Sequence, residues 1–392
     1  MVGRASLADP ARDITIGARR LFDGVARSPL EDVAIRIEGG RIRSIAPLTG
    51  NPSQIAFRAD IVCPGFVDLQ INGANDVQFN DTLSAEGIVA IVEGARQGGT
   101  AHILPTFITD ADSRYRAAVS AVREARARGV SGVLGIHLEG PFLSPERPGI
   151  HPPDCIRPMD EDDIAFLCAA DCGALLLTLA PERAPEGAIR RLTEAGVTVF
   201  AGHTAADFDE ITRACNEGLR GATHLFNAMS QLGSRSPGVV GAVLQSEDLF
   251  AGIIADGIHV HFANLALAHR LLADRLCLVT DAMLTLAGTT TAFRIGEKLI
   301  HRDGKQLSDA NGTLAGAHLA LDEAVRNATV HAGFPLADAL YAASVNPLRA
   351  LGLESSLGHV APGRDASLTM LNDKLSAVGV YADGRLSDLG GV

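Results

Sequence analysis

Glu139, His203, His224 and Asp281 lie far apart in the chain, yet each stands at or near the end of a short apolar run. The stretch "GVLGIHLEGPFLSP" (132–145) begins as a buried strand and then reaches Glu139, followed at once by Gly140 and Pro141. A carboxylate at the end of a buried strand is costly unless something pairs with it. One carboxylate and two imidazoles are a donor set of catalytic zinc, which commonly takes three protein ligands and leaves a position for water. Glu139, His203 and His224 are therefore the expected metal ligands, and Gly140 would let the backbone turn away into a loop. Asp281, in "LVTDAM", sits between apolar pairs and suits a general base. A metal lowers the pKa of bound water to roughly 7. Asp281 would take the proton as the hydroxide attacks and then pass it to the leaving group.

Positioning four distant residues requires a scaffold, and the middle of the chain has the rhythm of one. Apolar strands are expected at 66–72, 100–107, 133–139, 174–180, 198–204, 222–227, 249–256 and 276–282, with amphipathic helical stretches such as "YRAAVSAVREARARG" and "DFDEITRACNEG" between them. Eight strand–helix units suit the roughly 250 residues typical of a (β/α)₈ TIM barrel, whose active site gathers at the C-terminal ends of its strands. The alternative, a doubly wound open sheet, lacks a G-x-G-x-x-G in its first unit. Residues 13–62 and the last stretch, "GHVAPGRDASLTMLNDKLSAVGVYADGRL", read as short strands with Gly punctuation. The expected fold is α/β: a barrel over 63–344 beside a small β-sandwich domain formed by both chain ends, 1–62 and 345–392.

With 392 residues, 47% of them hydrophobic, the chain buries a large core. A net charge of −12 argues against nucleic acid or a membrane surface as partner. It also means that an anionic ligand must be held by local cations. The six cysteines form no C-x-x-C pair and suggest no disulfide framework. The first residues, "MVGRASLADPARD", lack a signal-type apolar core, and no apolar run approaches the ~18 residues of a membrane span. A cytoplasmic protein is expected.

The motifs "PGFVDLQING", "HLEGPF", "AGHT", "THLFNAM", "SRSPG", "IADGIHV", "LVTDAM" and "GTLAG", in this order from about residue 60 to 350, resemble those of the N-acetylglucosamine-6-phosphate deacetylases of the amidohydrolase superfamily. The resemblance implies a barrel beside a β-domain from both termini, and hydrolysis of an N-acetyl group from an amino-sugar phosphate. It gives Glu139, His203 and His224 as metal ligands and Asp281 as the acid/base. His151 in "PGIHPP" would donate a hydrogen bond to the acetyl carbonyl, where negative charge develops, and Ile150 beside it would contact the substrate. Asn227, Ala228, Arg235 and His259 would bind the sugar phosphate, and Leu314 would approach the acyl end. The phosphate-binding Arg can come from a neighbouring subunit in this family, which implies a homodimer with Arg235 acting across the interface.

Many amidohydrolases bind a second metal through H-x-H on the first strand. Here "DLQIN" places Gln70 and Asn72 at those positions, and neutral amides are poor ligands. The lysines, Lys298, Lys305 and Lys374, all follow the eighth strand, so none serves as a carboxylated bridging ligand. One divalent ion per chain is expected: zinc, with iron as the other candidate. Two other readings remain open at this level. One is a sibling enzyme for N-acetylgalactosamine 6-phosphate or an N-acyl amino acid. The other is a non-catalytic scaffold, which predicts decay at ligand positions that are in fact all filled.

Overall fold

The computed structural model describes residues 13–48, 55–111 and 113–390. The reading of the first twelve residues therefore lies outside the described residues. Eight parallel strands follow one another in chain order around the central sheet: Phe66–Ile71, Thr100–Ile108, Gly135–Glu139, Ala174–Leu179, Thr198–Ala201, Gly221–Ala222, Phe250–Ile254 and Leu276–Val279. Almost every residue in them is buried, as expected of parallel strands covered on one side by helices and filled on the other by side chains. The first and eighth strands are drawn together at their C-terminal ends. The Asp281 N–H donates to the Gln70 carbonyl at 2.8 Å, the Asn72 N–H to the Ala282 carbonyl at 2.8 Å, and the Thr280 hydroxyl to the buried Asp68 carboxylate at 2.5 Å. The TIM-barrel expectation is met.

The sixth strand is shorter than the 222–227 that its apolar run suggests, and the fifth and eighth stop before the residues of interest. The reason is backbone conformation. His203, His224, Phe226, Ala228 and Asp281 all have positive φ, between 32° and 81°. Left-handed backbone cannot continue a strand, so the ladder ends and the chain turns into the mouth of the barrel.

The strands of the two chain ends form one continuous seven-stranded sheet beside the barrel, because Leu368–Leu371 pairs antiparallel with Phe57–Pro64. Its buried face carries Ile16, Ile35, Ile37, Val62, Leu368 and Met370. Helix entries near the site are set by local chemistry. Asp207 and Glu210 cap the helix Phe208–Asn216 reciprocally at 2.8 Å, four residues beyond His203. Asp160 and Asp163 do the same for Glu161–Cys168.

Asp163 also takes Arg157 in a bidentate pair at 2.5 and 2.7 Å and the Tyr115 hydroxyl at 2.7 Å, which ties the loop carrying His151 to two helices. Burial alone would raise its pKa, but the Arg157 hydrogen bonds outweigh that and hold it at about 2. Since the folded value lies below the ordinary ~3.9, this stabilisation is present above that value and is lost as pH falls through 2. Asp163→Ala, which strands Arg157, is expected to cost about 3 kcal/mol of stability in urea unfolding at pH 7. A cost under 1 kcal/mol would show the pair to be incidental.

Candidate active site

At the C-terminal mouth of the barrel lies a cavity of about 420 Å³, within the range of small-molecule sites. Glu139, His151, His203, His224, Asn227, Ala228, His259, Asp281, Ile150 and Leu314 all line it. The structure thus brings together ten of the eleven residues singled out from the sequence. Arg235 is exposed on the loop before the helix Gly238–Gln245 and does not line the cavity of its own chain.

The floor is a tight cluster. Glu139 Oε1 lies 3.1 Å from His203 Nε2 and 2.9 Å from His224 Nε2, and the two nitrogens are 3.0 Å apart. All three side chains are buried. The Arg147 carbonyl, 3.0 Å from His203 Nδ1, can only accept, so Nδ1 carries the proton and a neutral His203 points the lone pair of Nε2 at a carboxylate oxygen. Two buried lone pairs facing each other are unfavourable unless a cation stands between them or a second proton is bound. His224 Nδ1, buried, has no hydrogen-bond partner among the described residues. This donor set, three lone-pair atoms about 3 Å apart with mixed N/O character, fits a divalent ion of the zinc type. A looser grouping of Glu139, His151 and His203 also brings ligand atoms within 4.8 Å. His151 Nε2, however, is 4.0 Å from Glu139 Oε1, against 2.9 Å for His224, so the tighter triad is the better cradle. Burial would raise the Glu139 pKa, but interaction with the His203 and His224 imidazoles outweighs it and holds the carboxylate well below its usual range.

Asp281 stands beside this cluster. Its Oδ1 accepts from Asn72 Nδ2 at 2.7 Å and from Gln70 Nε2 at 3.2 Å, and the same Gln70 amide reaches Glu139 Oε2 at 3.1 Å. Asp281 Oδ2 has no partner among the described residues. Burial, followed by the charge of Glu139, pushes the Asp281 carboxyl up to about 6. His151 Nδ1 lies 2.9 Å from the Thr109 hydroxyl, and burial, with His203 next, holds its pKa well below the usual value. Thr109 also donates to the Glu139 carbonyl at 3.2 Å. Gly140 is required where it stands: φ is +90°, and a Cβ there would lie 2.2 Å from Thr109 Oγ1.

Toward the outside the character changes. His259 Nδ1 is 2.7 Å from Asp256 Oδ2, which can only accept, so Nδ1 carries a proton toward Asp256 and Nε2 is the ring nitrogen left to meet a ligand. Sequence reasoning passed over Asp256, although Asp three residues before His in "DGIH" is a recognisable Asx turn: Oδ1 accepts the Ile258 and His259 N–H groups at 2.8 Å. Thr109 and the Arg147 carbonyl were also missed, and nothing local marks them.

Residues 61–386 match the model of the amidohydrolase family. The chain is 34% identical over 364 residues to an N-acetylglucosamine-6-phosphate deacetylase of Haemophilus influenzae, covering 91% of this chain and 95% of that one. It is 36% identical over 379 residues to an N-acetylgalactosamine-6-phosphate deacetylase of a Shewanella species, covering 95% of each. Its structure resembles the crystal structure of the N-acetylglucosamine-6-phosphate deacetylase from Pasteurella multocida with a TM-score of 0.91, 33% identity, and coverage of 96% of this chain and all of that one.

Proposed function

This chain belongs to the amidohydrolase family, and we propose that it removes the acetyl group of N-acetyl-D-glucosamine 6-phosphate to give D-glucosamine 6-phosphate and acetate. One observation carries the reading. The buried Glu139–His203–His224 cluster and Asp281 share the floor of a cavity whose outer part holds Asn227 and His259. In this reading residues 63–344 carry the catalysis, while the domain of both chain ends, 1–62 and 345–392, braces the barrel.

Glu139, His203 and His224 would hold one divalent ion, zinc or iron. Such an ion supplies Lewis-acid chemistry, polarising an amide carbonyl and making water more acidic. Asp281 Oδ2, the oxygen not engaged by Asn72 and Gln70, takes a proton from the attacking water and gives it to the departing nitrogen. A carboxyl lifted to about 6 is suited to both halves of that transfer near neutral pH. His151 donates to the carbonyl oxygen from Nε2 in the tautomer whose Nδ1 accepts the Thr109 hydroxyl, a state in which that hydroxyl turns from the Glu139 carbonyl to Nδ1. His259, oriented by Asp256, meets the phosphate together with Asn227 and the backbone at Ala228.

In this reading Arg235 acts across a homodimer interface, reaching the partner's phosphate. Its exposure, and that of Leu232 (57%) on the same loop, support an intersubunit position. No helix among the described residues is long and apolar enough to cross a membrane, and Cys63, Cys168, Cys172, Cys215 and Cys277 keep free thiols, as a reducing, cytoplasmic setting favours. The Shewanella relative favours the galacto epimer as a second substrate. Acetate release from both epimers, phosphorylated and not, tests the reading. No release from either phosphate ester would sink it. In the same assay Arg235→Ala is expected to raise KM for the 6-phosphate at least tenfold, as loss of a charge-assisted contact of about 1.5–3 kcal/mol requires. It should scarcely change the weak hydrolysis of the unphosphorylated sugar. An equal loss on both would show that Arg235 does not read the phosphate.

A further inference from the structure

The cavity has two chemically distinct walls. His259 and Asn227 lie on one. On the other are Ile108, Ile150, Met283, Ile295 and Leu314, all apolar. Ile108, Ile150, Met283 and Ile295 belong to a separate small hydrophobic cluster that also includes Leu284, Phe293, Ile300, Leu307 and Ala315. Four of its nine members, Phe293, Ile295, Ile300 and Leu307, come from a three-stranded antiparallel sheet inserted after the eighth barrel strand, Ala292–Ile295, Lys298–Asp303 and Gln306–Ser308.

Ile295 is the last residue of the first of these strands and pairs with Lys298 across a two-residue turn. Gly296 opens that turn with φ +55°, as such hairpins require. The turn is braced against the loop that carries His151. Lys298 Nζ donates to the Ile150 carbonyl at 3.4 Å, and the Cβ position at Gly296 lies 3.4 Å from Pro152 Cγ. The hairpin therefore holds the Ile295 side chain at a fixed depth, 7% exposed. The apolar wall also adjoins the chemistry. Ile150 precedes His151, and Met283 is two residues past Asp281. An amide lying between His151 and Asp281, with its sugar phosphate toward His259, has nowhere to put its acyl carbons except against this wall.

We propose that Ile295 is the gauge of acyl length: its side chain closes the apolar wall behind an acetyl methyl and excludes longer acyl groups. The proposal rests on the deacetylase reading above and adds to it the residue that sets the acyl group. One methylene in an apolar pocket discriminates by roughly 10- to 200-fold. The test compares kcat/KM for N-acetyl-, N-propionyl- and N-butyryl-glucosamine 6-phosphate in the wild type, Ile295→Val, Ile295→Ala and Ile295→Phe. Ile300→Ala serves as a control, since it loosens the same hairpin cluster without lining the cavity.

The propionyl-to-acetyl ratio is expected to rise at least about tenfold in Ile295→Ala, to rise less in Ile295→Val, and to fall below wild type in Ile295→Phe. Ile300→Ala should lower all three substrates in step. An unchanged ratio in Ile295→Ala and Ile295→Val would overturn the proposal. So would a parallel loss on all substrates like that of the control, which would make the hairpin a brace only. If the wild type releases no acetate, the functional reading itself has failed, and that is seen before any substitution is made.

Discussion

Asp281→Asn is expected to leave the protein folded, with its metal content unchanged, and to lower turnover of N-acetylglucosamine 6-phosphate by about 10²–10⁴, the usual range for a general acid/base. The geometry makes this substitution unusually clean. Gln70 Nε2 and Asn72 Nδ2 both present N–H groups to Oδ1 of Asp281. An Asn side chain keeps its carbonyl oxygen toward those two donors, because the alternative orientation would set amide N–H groups against each other. Its NH₂ then takes the place of Oδ2. The backbone stays anchored by the Asp281 N–H to Gln70 and by the Ala317 N–H to the Asp281 carbonyl, both at 2.8 Å. Only the atom that accepts a proton is lost. Substrate affinity should survive, so kcat falls much more than KM changes. Steady-state kinetics with metal analysis on the same samples checks it. Turnover near that of the wild type would remove Asp281 from the proton transfer.

Glu139→Gln is expected to reduce bound divalent metal from about one per chain to near zero and to bring acetate release down to background. Glu139 is the only anion among the three proposed ligands, and both imidazole nitrogens converge on one of its oxygens. Chelation of the wild type should act alike, and refilling with zinc or iron should restore activity. Because binding to the folded state alone stabilises by mass action, the chelated protein should also unfold at lower temperature. The expected count of one has a structural basis. Gln70 bridges Glu139 and Asp281 with a single amide, and Asn72 adds a second donor to Asp281. Two neutral amides thus already occupy, as hydrogen-bond donors, the space between the carboxylates where a second cation would sit. Two equally occupied metal sites in an anomalous-scattering map would refute this.

The barrel could be read from the chain because its strands are fully buried. Runs such as "ALLLTLA" have no polar face to obscure them, and the eight alternate with amphipathic helical stretches. Glu139 was legible for the same reason: a carboxylate closing an apolar run demands a partner, and the sequence offers His203 and His224 in matching places. That inference needs residue types and order along the chain, nothing more. Gln70 and Asn72 show where such reasoning stops. By type they are only absent ligands, whereas in the fold they are the donors that hold Asp281 in place.

The lengths of the fifth, sixth and eighth strands were overestimated because hydrophobicity does not encode φ. His203, His224 and Asp281 adopt left-handed backbone at a cost of about 1–3 kcal/mol each. That strain is sustained only by contacts from elsewhere, such as the Thr204 N–H on the Ala228 carbonyl and the Ala317 N–H on Asp281. The same holds for Thr109, which reaches Glu139 and His151 from a different strand, and for Ile295, which reaches the cavity from an inserted hairpin. The sequence by itself determined which chemical groups are present and the periodic burial that makes a barrel. The tertiary structure alone decided which oxygen of Asp281 is free, which imidazole nitrogen faces Glu139, and which wall meets the acyl group. Those depend on contacts between residues tens to hundreds of positions apart, and local pattern carries no record of them.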